Sequence, residues 1–275
     1  MNTSIVKSGT AQLPVSQTGA GQALVFLHAG VTDKRSWMPL IGSLSETIGN
    51  FHGVAYDRRG FGDSTFTEER HSRVGDLVAV LDACELSSAV LIGNSQGGRI
   101  AVDMTMLHPA RVKALVLIGT SVSGMPEVAS WPPDASELYR KIEVAEAAGD
   151  LDLLNRLQAH LWLDGPSSIE GRVAGATREL FLDMNLRALN ARSVGEITDD
   201  VDAWNNLSKI QVPVLLIAGQ LDLPHLQERS ARMAEIIAHS KLISIKNVAH
   251  LAALEAPLPC AEMIAKFLAR HINAT

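Results

Sequence analysis

The stretch Ala89-Val90-Leu91-Ile92-Gly93-Asn94-Ser95-Gln96-Gly97-Gly98 constrains this chain more than any other. An apolar run ends at Gly93, a serine follows two residues later, and two glycines open Arg99 to Leu107, whose apolar spacing is helical. The segment therefore reads as a strand, a sharp turn and a helix. The turn has the spacing G-x-S-x-G, which holds a serine in a strained backbone and projects its hydroxyl from the sheet. Gly93 and Gly97 suit that turn because strand and helix backbones approach too closely there for a Cβ.

Glycines before a helix N-terminus also suit an anion. Gly93 to Gly98 lacks the Lys-Ser/Thr ending of a P-loop and contains no G-x-G-x-x-G, so phosphate cradling is set aside. A glycine-rich turn alone is common in α/β proteins. The reading of Ser95 as a nucleophile therefore depends on its companions along the chain.

At 275 residues, 47% of them hydrophobic, the chain has length and apolar content for one large α/β domain with an insertion. The formal net charge is −6 and the basic residues are scattered, which argues against nucleic acid or an anionic membrane as partner. Cys84 and Cys260 are the two cysteines, and neither sits in a C-x-x-C pair. No disulfide framework, metal or cofactor is expected, and both thiols read as buried and inert. Residues 1–5 lack a basic and apolar signal, and no apolar run approaches the ~20 residues of a membrane span, so a cytoplasmic location is expected.

Taken in order, the chain opens with a β-hairpin over about Ser4 to Gly19, followed by the apolar strand Ala23 to Leu27 and the loop His28-Ala29-Gly30-Val31. A helix over Trp37 to Ile48, a strand over Gly53 to Tyr56 and a helix over Val74 to Cys84 lead to the serine-bearing strand. Ala114 to Gly119 forms the next strand. From 121 to 207 strand signals give way to helical stretches near Ala135 to Ala148, Leu151 to Trp162 and Gly175 to Leu189. The βα alternation resumes with the strand Val212 to Gly219, a helix over Leu226 to Ala238, a strand over Lys241 to Ile245 and a last helix over Ala256 to His271. The domains are thus a core of 1–120 and 208–275 and an inserted helical lid of 121–207.

A serine nucleophile needs a base, the base an orienting carboxylate, and the developing oxyanion needs donors. His250, between the last strand and the last helix, is the candidate base. Asp222, three residues after the strand ending at Gly219, is the candidate acid, against the plainer reading of an aspartate capping a helix. The order Ser95, Asp222, His250 favours a triad. The backbone N–H groups of Gln96 and Gly30 are the candidate oxyanion donors.

With these residues assembled, the chain resembles the α/β-hydrolase superfamily, in its serine-nucleophile branch, over nearly its whole length. His28-Ala29-Gly30, Asp57 to Ser64 (DRRGFGDS), Gly93 to Gly98, and Asp222 with His250 carry the resemblance. It implies an α/β fold with a mostly parallel eight-stranded sheet, flanking helices and the inserted lid. Two departures stand out. His28-Ala29 replaces the common His-Gly, which leaves Val31 as the alternative to Gly30, and Ala249 precedes His250 where glycine is usual. The resemblance also implies that Asp57 and Arg58 form an internal pair bracing the oxyanion loop.

The pattern is similar to carboxylesterases, enol-lactone hydrolases and cofactor-free haloperoxidases, and to hydrolases of carbon–carbon bonds in ring-cleavage products. It implies hydrolysis of a small, largely apolar ester or lactone through an acyl-enzyme. The alternatives are the carbon–carbon hydrolase and a triad-bearing small-molecule sensor acting through a protein partner. Candidate substrate-binding residues are Val31, Met125, Trp131, Trp162, Met184 and Leu251. Arg140, Arg156, Arg172 and Arg178 are scattered rather than clustered in the lid, which favours a neutral substrate. Oligomeric state is open, with a homodimer as one option.

Overall fold

The computed structural model describes residues 2–126 and 132–272. Eight strands form one sheet: β1 (Asn2–Ser8), β2 (Ala11–Thr18), β3 (Ala23–Leu27), β4 (His52–Tyr56), β5 (Ala89–Asn94), β6 (Val112–Ile118), β7 (Val214–Gly219) and β8 (Ser240–Ile245). Their order across the sheet is β1-β2-β4-β3-β5-β6-β7-β8. The pairs β1–β2 and β2–β4 are antiparallel and all others parallel. The expected eight-stranded α/β-hydrolase architecture is the one observed.

The continuous apolar runs of β3, β5 and β7 follow from burial on both faces. Along β3, Val25 and Leu27 pack with α2 (Arg73–Ala83), α3 (Gln96–Leu107) and α7 (Pro224–Ile236), while Leu24 and Phe26 pack with α1 (Met38–Ile48), α8 (Ala252–Glu255) and α9 (Pro257–His271). That two-residue alternation produces two cores with the sheet between them. Cys260 lies buried in the second, its thiol pushed up to about 12 by burial, whereas Cys84 is only half-buried.

Between β6 and β7 the described chain forms α4 (Pro133–Ala148), α5 (Leu151–Ala159) and α6 (Ala176–Leu189). The helix expected to run on to Trp162 instead ends at Ala159 and continues as a π-helical turn over His160–Asp164, stopped by Gly165 at φ +94°. Buried Asp164 holds that turn together: its carboxylate accepts the Gly171 and Val173 N–H groups and pairs with Arg178 at 2.7 Å. Among the described residues, no helix is long and apolar enough to cross a membrane.

Candidate active site

Ser95 lies between β5 and α3 with φ +52° and ψ −115°, a conformation that a non-glycine residue adopts only under strain. Its N–H donates to the Ile118 carbonyl (2.9 Å), which fixes the turn to the neighbouring strand. The flanking glycines are steric necessities. A Cβ on Gly93 would lie 2.5 Å from Gly98 Cα, and one on Gly97 would overlap the Leu27 carbonyl.

His250 is 3% exposed and donates from Nδ1 to Asp222 Oδ2 at 2.8 Å. The other Asp222 oxygen accepts the Leu223 N–H at 2.8 Å, so the carboxylate is held from both sides and cannot swing away. A carboxylate facing Nδ1 fixes the proton there, which leaves Nε2 as a proton acceptor. The backbone beneath is also tied: Asn94 Nδ2 donates to the carbonyls of Ile118 (2.8 Å) and His250 (3.2 Å). Gly119, at φ +51°, sits against the pair. A Cβ there would stand 2.9 Å from His250 Nδ1 and 3.2 Å from Asp222 Oδ2.

Ser95 and His250 line one cleft of about 250 Å³, together with Gly30, Val31, Gln96, Arg99, Ser121 and Trp162. The structure thus brings together Ser95, His250 with its partner Asp222, both oxyanion candidates, Val31 and Trp162. Trp162 reaches the cleft from the π-helical turn, its ring centroid 4.7 Å from that of His250. Met184 and Leu251 lie in a buried apolar cluster with Ala29, Phe181 and Leu254, against which Val31 and Trp162 pack. Met125 is not among the lining residues: it packs on the core below, its Sδ 3.4 Å from Val122 N. Trp131 lies outside the described residues.

The oxyanion candidates are backbone groups. Ala29 to Thr32 makes a turn closed by Thr32 N–H to Ala29 O (3.5 Å), and at its apex the N–H groups of Gly30 and Val31 bond to no described residue. Gln96 is the first residue of α3, where a helix leaves its N–H groups without an intrahelical acceptor.

The bracing of this loop differs from the expected Asp57–Arg58 pair. Asp57 binds Lys34, with Nζ at 2.5 Å and the backbone N–H at 2.9 Å. Arg58 turns the other way, donating from Nη2 to the carbonyls of His28 and Ala29 (3.0 Å each) and from Nη1 to Gln96 Oε1. The two are neighbours in sequence but point to opposite sides of the chain, as alternate side chains in extended backbone do. His28 is fully buried beside Arg58. Its Nε2 accepts the Arg58 N–H (3.2 Å) and its Nδ1 donates to Ala29 O (2.7 Å), so the ring is neutral. Burial, reinforced by the Arg58 charge, holds its pKa well below 6.5.

Two lining residues escaped the sequence reading. Arg99 stands four positions after Ser95, one turn along α3, and i,i+4 spacing on a helix was the available signal. Ser121 follows β6 and had no signal beyond its place after a strand end. Three of the four lid arginines are spent elsewhere: Arg140 on Glu137, Arg178 on Asp164, and Arg172 on Glu255 and three carbonyls.

Fold and site geometry together define an α/β-hydrolase. The model of the alpha/beta hydrolase family matches residues 24–263, and the chain belongs to that family. It is 28% identical over 265 residues to a 2-hydroxymuconate semialdehyde hydrolase from Pseudomonas sp. strain CF600, covering 92% of this chain and 88% of that one. It is 25% identical over 253 residues to a pimeloyl-(acyl-carrier protein) methyl ester esterase from Nitrosospira multiformis, covering 90% and 95%. Among solved structures, a thermophilic esterase from Thermogutta terrifontis shares the fold with a TM-score of 0.76 at 21% identity, covering 98% of this chain and 100% of that one.

Proposed function

We propose that this α/β-hydrolase cleaves a small, largely apolar carboxylic ester or lactone through an acyl-enzyme, with Ser95 as nucleophile, His250 as base and Asp222 as the orienting acid. One observation carries the reading: a serine at a strained strand-to-helix turn shares a cleft with a histidine whose Nδ1 is bonded to a buried carboxylate.

In the first half-reaction Ser95 Oγ attacks the carbonyl carbon and its proton passes to His250 Nε2, while Asp222 stabilises the imidazolium. The carbonyl oxygen becomes an oxyanion held by the N–H of Gln96 and that of Gly30, with Val31 beside it. Collapse expels the alkoxide, which takes the proton from His250. In the second half-reaction water attacks the acyl-Ser95 ester, His250 removes and returns the proton, and the acid leaves. Residues 121–207 act as a cap over this cleft and choose the substrate, chiefly through Trp162, with Val31, Met184 and Leu251 shaping the apolar wall. The expected setting is the cytoplasm.

Hydrolysis of p-nitrophenyl esters from acetate to decanoate by wild type and Ser95→Ala tests the reading. Wild-type turnover should fall by a factor on the order of 10⁶ in kcat in the variant. Near-normal turnover in Ser95→Ala would sink the assignment. A second reading, carbon–carbon bond hydrolysis in a ring-cleavage product, is favoured by the 28% identical relative named a 2-hydroxymuconate semialdehyde hydrolase, since such a compound carries no ester to cleave. Turnover of a 2-hydroxymuconate semialdehyde with none of the esters would select it.

A further inference from the structure

A second cavity, of about 390 Å³, opens on the other side of Gln96, between the loop after β4, the start of α2 and the segment following α6. Its size lies within the range of about 300–1,000 Å³ usual for small-molecule sites. Four arginines line it, Arg58, Arg59, Arg73 and Arg192, against one carboxylate, Asp76. That carboxylate is already taken. Arg59 grips it from Nε (2.8 Å) and Nη2 (3.0 Å), and spends Nη1 on Glu69.

Among the described residues, the remaining guanidinium groups make no ion pair with a carboxylate. Arg58 is 5% exposed, its guanidinium touches only neutral groups, three oxygens and the His28 ring, and its buried Nε has no partner among the described residues. Beside it the hydroxyl of fully buried Tyr56 also has none. The Arg73 side chain makes no hydrogen bond or ion pair within 4 Å among the described residues. Asp199 is spent on the Arg73 backbone N–H (2.6 Å) and the Ser72 hydroxyl, and it and Asp103 reach the guanidinium only as distant charges. Arg58 and Arg73 repel each other: burial and the Arg73 charge are among the causes that bring the Arg58 pKa down to about 9.

A buried cation facing a like charge, with idle donors, is costly unless an anion joins it. Planar guanidinium forks and a phenol hydroxyl match a planar carboxylate, which accepts two parallel N–H bonds and a third from the side. We propose that this cavity binds a small carboxylate between Arg58 and Arg73, with the Tyr56 hydroxyl as a further donor, at a site separate from the cleft at Ser95. The two spaces share residues: Arg58 also holds the His28 and Ala29 carbonyls and the Gln96 side chain, and Gln96 lines both. The site does not depend on the reaction proposed for Ser95.

Calorimetric titration of the full chain with propionate, succinate and inorganic phosphate tests this assignment, with Arg73→Gln, Arg58→Gln and Arg99→Gln in parallel. Arg99 lines the Ser95 cleft and reports on the rival location. Charged hydrogen bonds are strong enough that losing one weakens binding about ten- to hundredfold. That loss should appear in Arg73→Gln and Arg58→Gln, while Arg99→Gln keeps wild-type affinity. Arg73→Gln removes no hydrogen bond of its side chain, so its unfolding temperature without ligand should stay at the wild-type value even where Arg58→Gln fails to fold. Affinity lost in Arg99→Gln and kept in Arg73→Gln would overturn the site. Absence of saturable binding in wild type would do the same, and phosphate binding tighter than both acids would overturn the ligand class.

Discussion

The indole of Trp162 lies against the imidazole of His250, ring centroids 4.7 Å apart and planes tilted by 45°. The contact joins the inserted helices to the loop that carries the proposed base, and it shields the imidazole from water on that side. Aromatic pairs of this kind contribute about 0.5–1.5 kcal/mol beyond the area they bury. Trp162→Ala should therefore lower kcat/KM for p-nitrophenyl butyrate about tenfold, with Trp162→Phe retaining most of it. An alanine variant with wild-type kcat/KM would remove Trp162 from the site.

Asp222 is a hydrogen-bond acceptor at both oxygens. Asp222→Asn keeps the shape but presents an amide N–H to His250 or to Leu223, and the imidazole then shifts its proton to Nε2, where it cannot accept one from Ser95. In the serine protease template this substitution costs about 10⁴ in kcat. A comparable loss is expected here with the circular dichroism spectrum unchanged. A loss below tenfold would mean that His250 does not need Asp222.

Gly119 is boxed in by His250 and Asp222, and its φ of +51° already disfavours any side chain. The backbone penalty for alanine is about 1–2 kcal/mol, which a domain of this size can absorb. The added methyl, however, would push on His250 Nδ1. Gly119→Ala should fold, lose a few degrees of thermal stability and lose nearly all turnover. Full activity in a folded Gly119→Ala protein would show that the His250–Asp222 geometry is dispensable.

Burial raises the Asp103 carboxyl to about 6, against the Ser123 hydroxyl it accepts at 2.6 Å and the charge of Arg99, which pull it down. Between the ordinary value of 3.8 and about 6 the folded protein holds more of this proton than the unfolded chain does. Stability from this group is therefore fully present at the acid end of that window and declines as pH rises through it. Asp103→Asn cannot ionise. The difference in unfolding temperature, variant minus wild type, should grow between pH 4 and pH 7, a window of about three units around the shifted group. A flat difference would refute the shift.

Much of this was legible because burial on both faces writes itself into a sequence. The runs at Ala23, Ala89 and Val214 could only be central strands, and the Gly93 and Gly97 spacing encodes a backbone collision that any side chain would cause. Apart from Asp222 with His250, pairings made through space were not legible. Nothing in DRRGFGDS says that Asp57 turns to Lys34 while Arg58 turns to Gln96, because that choice depends on where the oxyanion loop and α3 arrive. The π-helical turn at His160–Asp164 was missed because the buried Asp164 that gathers its surroundings reads in sequence as one more acid on a helix. Gly119 read as the end of a strand, since its neighbours Asp222 and His250 come from two distant loops.

Arg172 spans the seam between the inserted helices and the core, donating to the Leu163 and Asp164 carbonyls on one side and to the Asn247 carbonyl and Glu255 on the other. Glu255 in turn accepts the Ala249 N–H, next to His250. The far side of the same seam is joined by Arg187 with Asp63 and by Arg35 with Asp183, whose acidic side chains are at least half exposed. Exposed ion pairs of that kind contribute roughly 0–1 kcal/mol each and weaken in salt. The two sides are therefore fastened unequally: a nearly dry rivet at Arg172 and a wet zip opposite. Raised ionic strength should therefore loosen the Arg187–Asp63 and Arg35–Asp183 pairs before it affects the Arg172 contacts, leaving the segment that carries Trp162 in register with His250.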